Sequence, residues 1–163
     1  IIIYMEGEKT MPNYKLYNMC MIYNKDNNHV LVQDKVSDDG WGGITFPGGH
    51  IEFGESFIES AIREVKEETG LDVTGLEYVG IINYYNTDNS ERWMCFLYKT
   101  NKYSGEMLNE TEEGKVFWVN SDKLLTMNLA PNMDKYLQLF FSDVHHEAFA
   151  KWNKNYTEEL RII

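Results

Sequence analysis

The sequence predicts a single domain of mixed α+β class, and three observations carry that prediction. Runs rich in apolar, β-branched and aromatic residues recur between polar turns, as strands do. A strongly marked helix interrupts them after residue 55, and a second helical stretch follows near residue 132. At 163 residues and 43% hydrophobic, the chain can bury one substantial core and is too short for two ordinary domains.

Taken in order, Ile1-Ile2-Ile3-Tyr4 lacks the basic region and small-residue cleavage site of a signal peptide. Residues 1–13 are expected to be an N-terminal extension, with Met5 or Met11 as the native start. Tyr14 to Tyr23 and His29 to Gln33 read as a hairpin across the polar turn 24–28. A glycine-rich loop, Asp38 to Gly43, leads into Ile44-Thr45-Phe46-Pro47. Ser56 with Glu59 makes a capping-box pattern, and Gly70 stands where a helix-ending glycine belongs. Between them Phe57, Ile58, Ala61, Ile62 and Val65 form the apolar stripe. Strands are expected at Leu76 to Tyr85, Arg92 to Thr100 and Lys115 to Val119. Ser121 should cap a short helix to Met127, and Pro131 should open a longer one over Asn132 to Phe141. Residues 14–144 then make up the domain, and 145–163 a tail that packs on it or on a partner in a homodimer.

Cys20 and Cys95 lie within apolar runs and read as buried free thiols, consistent with a cytoplasmic protein. No apolar run is long enough to span a bilayer. The net charge of −11 argues against a duplex nucleic-acid binder, which would present a basic footprint. It also means that a phosphorylated substrate would need metal ions to offset the charge of the site.

The segment Gly49 to Leu71, GHIEFGESFIESAIREVKEETGL, carries the chemistry. Glu64, Glu67 and Glu68 stand at i, i+3 and i+4, so a helix presents them on one face, where they repel unless a cation intervenes. A hard divalent ion suits such oxygen ligands. The full pattern, Gly49, five residues, Glu55, seven residues, then Arg63-Glu64-Val65-Lys66-Glu67-Glu68-Thr69-Gly70-Leu71, resembles the Nudix box at each fixed position. The resemblance implies an α/β/α sandwich with a mixed central sheet flanked by helices. It implies a hydrolase of nucleoside diphosphates linked to another moiety, dependent on Mg2+ or Mn2+. By the same resemblance Glu64, Glu67 and Glu68 are metal ligands, joined by the backbone carbonyl of Gly48 or Gly49, while Arg63 and Glu55 form an internal ion pair.

Further features are similar to the MutT-like subgroup of nucleoside triphosphate pyrophosphohydrolases, which includes 8-oxo-dGTP diphosphatases. Phe46, in Phe46-Pro47-Gly48-Gly49, resembles a residue near the base pocket. Glu113, in Glu113-Gly114 before Phe117-Trp118-Val119, resembles the glutamate that reaches the metal cluster or acts on the attacking water, with Glu110 and Glu112 as competitors. Asn132, in Ala130-Pro131-Asn132, resembles the asparagine that reads a purine edge, although it can equally cap its helix. Lys35 and Arg92 are candidate phosphate contacts, while Trp93, Tyr84 and Tyr85 either stack on a base or fill the core. The expected reaction yields a nucleoside monophosphate and pyrophosphate, with Glu113 or Glu64 as base. The alternatives are a nucleotide sugar, ADP-ribose or dinucleoside polyphosphate as substrate, or a non-catalytic nucleotide sensor. A departure from the subgroup, Gln33-Asp34-Lys35 where arginines are frequent, weakens the expected triphosphate contact.

Overall fold

The computed structural model describes residues 13–37 and 40–163. Met5 and Met11, the expected starts, lie outside the described residues, as do Asp38 and Asp39 of the glycine-rich loop. The first hairpin forms as its sequence predicts, from β1 (Tyr14–Asn24) and β2 (His29–Lys35). The two strands pair next to the turn, through Tyr23 with Val30 and Asn24 with His29, and then take different partners. β2 pairs antiparallel with β3 (Gly43–Thr45), and the chain then enters α1 (Phe57–Thr69). A short β4 (Asp72–Thr74) leads to β5 (Glu77–Asn86) and β6 (Arg92–Thr100), an antiparallel pair. β6 lies parallel to β1 along nine paired residues, so the amino-terminal strand is built into the centre of the sheet.

β7 (Lys102–Ser104) pairs with β4, and β8 (Glu110–Thr111) turns into β9 (Gly114–Asn120), which covers the free side of β2. A 3-10 turn, Ser121–Thr126, precedes α2 (Met133–Phe140). The tail then contributes β10 (Glu147–Asn153), β11 (Tyr156–Thr157) and β12 (Arg161–Ile162). β10 runs parallel to β5 and so extends the main sheet rather than leaving the domain.

Side chains alternate across this sheet with the two-residue period of strands, and each face is covered by a helix. On one face Cys20, Ile22, Leu31 and Tyr98 meet Ala61 and Val65 of α1. On the other Met19, Met21, Ile82 and Leu97 meet Met133, Leu137 and Phe140 of α2. The result is the expected helix–sheet–helix sandwich. Among the described residues, no helix is long and apolar enough to cross a membrane.

α1 starts at a complete capping box: Ser56 Oγ accepts from the Glu59 N–H, and the Glu59 carboxylate accepts from the Ser56 N–H. Gly70 ends it in the left-handed conformation, with φ of 76°. Its apolar stripe is shorter than the sequence suggests. Ala61 and Val65 are buried, but Phe57 and Ile58 in the first turn are 40% and 48% exposed. Phe57 keeps a partial cover, its ring 4.2 Å from that of Phe96. The Ser121 cap is likewise corrected. Asn120, one residue earlier, accepts the Asp122 N–H at 2.9 Å, and Ser121 instead donates to Asn28.

Candidate active site

The Nudix-type segment folds onto β1. The Pro47 carbonyl accepts from the Cys20 N–H and the Gly49 carbonyl from the Asn18 N–H, both at 2.9 Å. These bonds draw the glycine loop so close that a Cβ on Gly48 would collide with the Asn18 carbonyl. A Cβ on Gly49 would lie 2.6 Å from the Glu64 carboxylate. Only glycine allows backbone and carboxylate to approach this closely. Because the Gly49 carbonyl is already engaged, Gly48 is the better placed of the two to offer a carbonyl to an ion.

Arg63 is the organising cation. Its guanidinium binds Glu55 in the bidentate manner at 2.6 and 2.9 Å, donates to Glu64 at 2.8 Å and to Glu67 at 3.1 Å, and reaches the His50 carbonyl at 3.0 Å. The expected Arg63–Glu55 pair is therefore present, and it extends to two of the three helix carboxylates. Hydrogen bonding from Arg63 holds the Glu55 carboxyl down to about 2. The stability this pair contributes is complete above the ordinary value of 4.5 and is lost progressively as pH falls from there to about 2. Burial pushes Glu64 the other way, upward, with Arg63 opposing it.

Glu68 is the most buried of the carboxylates. Its Oε2 accepts the Gly48 N–H at 2.8 Å, while its Oε1 is buried without a hydrogen-bond partner. Burial, and then contact with Glu113, pushes its carboxyl up to about 9. Of the three acids in the loop around residue 112, it is Glu113 that turns inward. It accepts from Lys35, whose Nζ also lies 3.9 Å from Glu68 Oε1. Contact with Glu68, and the Lys35 ammonium, hold the Glu113 carboxyl below its ordinary value.

The residues fit a hard divalent cation. An orphaned buried oxygen on Glu68, a second carboxylate beside it and a glycine cradle supply oxygen donors and close backbone approach. Among the described residues no three acidic, histidine or cysteine side chains already form a metal cage. Glu64 and Glu67 are turned to Arg63, and Glu68 and Glu113 to one another and to Lys35. The raised Glu68 carboxyl gives a prediction with a definite sign. Between the ordinary value of 4.5 and about 9, the folded protein binds a proton that the unfolded chain does not, so metal-free stability falls as pH rises through this window. Glu68→Gln, which keeps the shape and removes the charge, should raise the metal-free melting temperature at pH 8 and flatten its pH dependence. Melts of both proteins from pH 5 to 9 in chelator check this, and parallel curves would show that Glu68 is not the titrating group.

A cavity of about 680 Å³ opens beside the glycine loop. Lys35, Gly48, Gly49 and His50 border it at the carboxylate end, and Tyr17, Trp93, Tyr84 and Tyr136 line its walls. Phe46 touches it but is 2% exposed and packs edge to face on Phe140, so its ring serves mainly as core beneath the floor. Asn132 stands at the N-terminal cap position of α2 with φ of 64°, but its side chain makes no capping hydrogen bond. Its Nδ2 donates instead to Tyr84 Oη at 3.1 Å, and Tyr84 Oη meets Tyr136 Oη at 3.2 Å; the two tyrosines line the cavity, and Asn132 stands behind them next to Pro131, which does border it.

Strand alternation separates the other candidates. Trp93 and Cys95 face the cavity, whereas Arg92 sits on the opposite face of β6, donating to Asn83 at 3.0 Å and stacking over the Tyr85 ring. Arg92 is therefore not a cavity residue, and neither is Tyr85. Tyr17 and Tyr136 had no motif to mark them. Tyr17 could have been found from the alternation Tyr17-Met19-Met21, which places it on the face shared with Trp93 and Cys95.

A charged glycine loop and carboxylate helix, held against a mixed sheet beside an aromatic cavity, define an enzyme class that hydrolyses phosphoric anhydrides. The chain belongs to the Nudix family: the NUDIX domain matches residues 15–140. It is a Nudix pyrophosphohydrolase, a family whose members generally use divalent metal ions. The chain is 31% identical over 149 residues to the Nudix hydrolase YvcI of Bacillus subtilis, covering 88% of each protein. It is 28% identical over 121 residues to an ADP-ribose pyrophosphatase of Methanocaldococcus jannaschii, covering 70% of this chain and 71% of that one. Among solved structures it resembles the mutator MutT protein of Bacillus halodurans, with a TM-score of 0.72 and 29% identity over 91% of this chain and 97% of the other.

Proposed function

We propose that the protein hydrolyses a purine nucleoside triphosphate, 8-oxo-dGTP or another purine deoxynucleotide, to the nucleoside monophosphate and pyrophosphate, using Mg2+ or Mn2+. The observation that supports this reading is one cavity bordered both by Lys35 and the Gly48–Gly49 loop, which touches the carboxylates, and by Tyr84 and Tyr136, the hydroxyl pair to which Asn132 is joined. A nucleotide has the same polarity, anionic at one end and an aromatic ring with polar edges at the other.

Glu64, Glu67, Glu68 and the Gly48 carbonyl would hold the ion. When bound it offsets the negative charge of the site and of the phosphate oxygens, and makes water a better nucleophile. Gly48 and Gly49 leave room for phosphate oxygens against the backbone, and Lys35 offers them an ammonium group. Glu113 is the favoured base, because its half-exposed carboxylate borders the buried Glu68 and is open to water. It accepts a proton as water attacks phosphorus, the P–O anhydride bond breaks and pyrophosphate leaves. Glu64, occupied by Arg63, is the second candidate. At the far end the Asn132 amide can both donate to and accept from a purine edge, while Tyr84 fixes its orientation.

A different substrate, a nucleoside diphosphate joined to another group such as ADP-ribose or a sugar, is favoured by a specific observation. With Arg92 on the other face, Lys35 is the lysine or arginine bordering the cavity among the described residues, and it is already paired with Glu113. A triphosphate would gain more from additional cations than a diphosphate. Pyrophosphate or monophosphate release across nucleoside triphosphates, ADP-ribose and nucleotide sugars with Mg2+ decides between the two. The triphosphate reading requires pyrophosphate from a purine triphosphate at the highest kcat/KM.

Within that reading Asn132→Ala should cost about 1–3 kcal/mol in kcat/KM for the preferred purine and much less for pyrimidine nucleotides. Steady-state kinetics on the four deoxynucleoside triphosphates and 8-oxo-dGTP measure it. A uniform loss across all of them would mean that Asn132 only supports Tyr84.

A further inference from the structure

We propose that Lys35 is an exchangeable counter-ion. It holds Glu113 and stands beside Glu68 while the metal site is empty, and transfers to substrate phosphate when a divalent ion binds at Glu68. The proposal rests on the metal-site reading above and adds a coupling between metal and nucleotide binding.

Three observations carry it. The Lys35 backbone is paired on both sides, with Gly43 of β3 and Gly114 of β9, so its Cα is fixed and only the flexible side chain is free to move. Its ammonium donates to Glu113 and lies 3.9 Å from the unpartnered Oε1 of Glu68. The same side chain borders the cavity alongside Gly48 and Gly49. Lys35 therefore stands between two anionic partners, the carboxylates on one side and any phosphate in the cavity on the other.

A divalent ion at Glu68 would compete with the Lys35 ammonium group, which lies 3.9 Å from its Oε1. Like charges about 4 Å apart repel even at the effective dielectric of a protein surface, and the ion brings twice the charge. Metal binding would thus displace Lys35 toward the cavity, where phosphate is the available anion. Substrate would draw Lys35 the same way and clear the carboxylates for the metal. The two ligands then bind with positive, reciprocal coupling through a single side chain.

The test is Mn2+ binding by wild type, Lys35→Met and Lys35→Arg in the absence of nucleotide, read from the electron paramagnetic resonance signal of free Mn2+. Circular dichroism confirms folding of each protein. Lys35→Met removes the competing charge and should bind Mn2+ about fivefold or more tightly, the lower range of ordinary site-to-site coupling. Lys35→Arg should stay near wild type. In the second arm, a non-hydrolysable nucleoside triphosphate is titrated with and without Mn2+, and the enhancement by Mn2+ should shrink about fivefold or more in Lys35→Met. Unchanged or weaker Mn2+ binding in Lys35→Met, with wild type binding normally, would overturn the exchange and make Lys35 a fixed clamp. Wild type that takes up no Mn2+ would instead overturn the metal-site reading itself, and the exchange with it.

Discussion

Glu67→Gln should leave the fold intact and lower kcat by a factor of about 100 or more, because a neutral amide is a poor ligand for a hard divalent ion. The position separates chemistry from packing. The Glu67 side chain is 60% exposed and its ion pair is with Arg63, which keeps its stronger bonds to Glu55 and Glu64. Glutamine retains the side-chain length and can still accept from Arg63. Circular dichroism and melting should match wild type while turnover at saturating Mg2+ collapses. Near wild-type turnover would remove Glu67 from the ligand set and leave Glu64, Glu68 and Glu113 to hold the ion.

Arg63→Ala should have the opposite profile, losing stability and rate together. Removing the guanidinium strands Glu55, Glu64 and Glu67 without their shared cation and releases the His50 carbonyl. Glu64 suffers most, being wedged against Gly49 with its carboxylate already disfavoured by burial. The melting temperature should fall by about 5 °C or more, and kcat about tenfold or more as the helix carboxylates lose alignment. Lys at this position should recover little, since one ammonium group cannot reproduce the forked contact. An unchanged melting temperature in Arg63→Ala would mean that the ion-pair network contributes nothing net.

How much of this could be read from the chain depends on the range of the signal. α1 was legible because its cap, its C-terminal glycine and its carboxylate spacing are all local, and the Arg63–Glu55 pair followed from the box. The strands at 92–100 and 115–119 were legible for the same reason. Partners were not. Nothing near Tyr14 announces a parallel neighbour at Arg92, and nothing near Glu147 announces Ile81, because parallel pairing is set by packing of the whole sheet. The misplacement of Arg92 has the same origin: one residue of offset along β6 moves a side chain to the other face, and only the neighbouring strands reveal which face carries the cavity. Trp93 and Tyr84 could pass for core residues because aromatic strand positions look alike whether they meet a helix or a cavity.

The parallel pairing of β10 with β5 also bears on the order in which the enzyme assembles. Tyr84, which orients Asn132, sits on β5, and that strand meets its outer neighbour only across the 66 residues separating Ile81 from Glu147. During synthesis the amino-terminal hairpin, α1 and the β5–β6 pair can emerge and dock early, while the outer edge of β5 stays unpaired until β10 leaves the ribosome. A nascent chain in this state presents an open row of backbone donors and acceptors beside Ile82 and Tyr84, the kind of edge on which chains associate. The strand that covers β5 therefore also ends the exposure of that edge, and it is made more than sixty residues after the strand it protects.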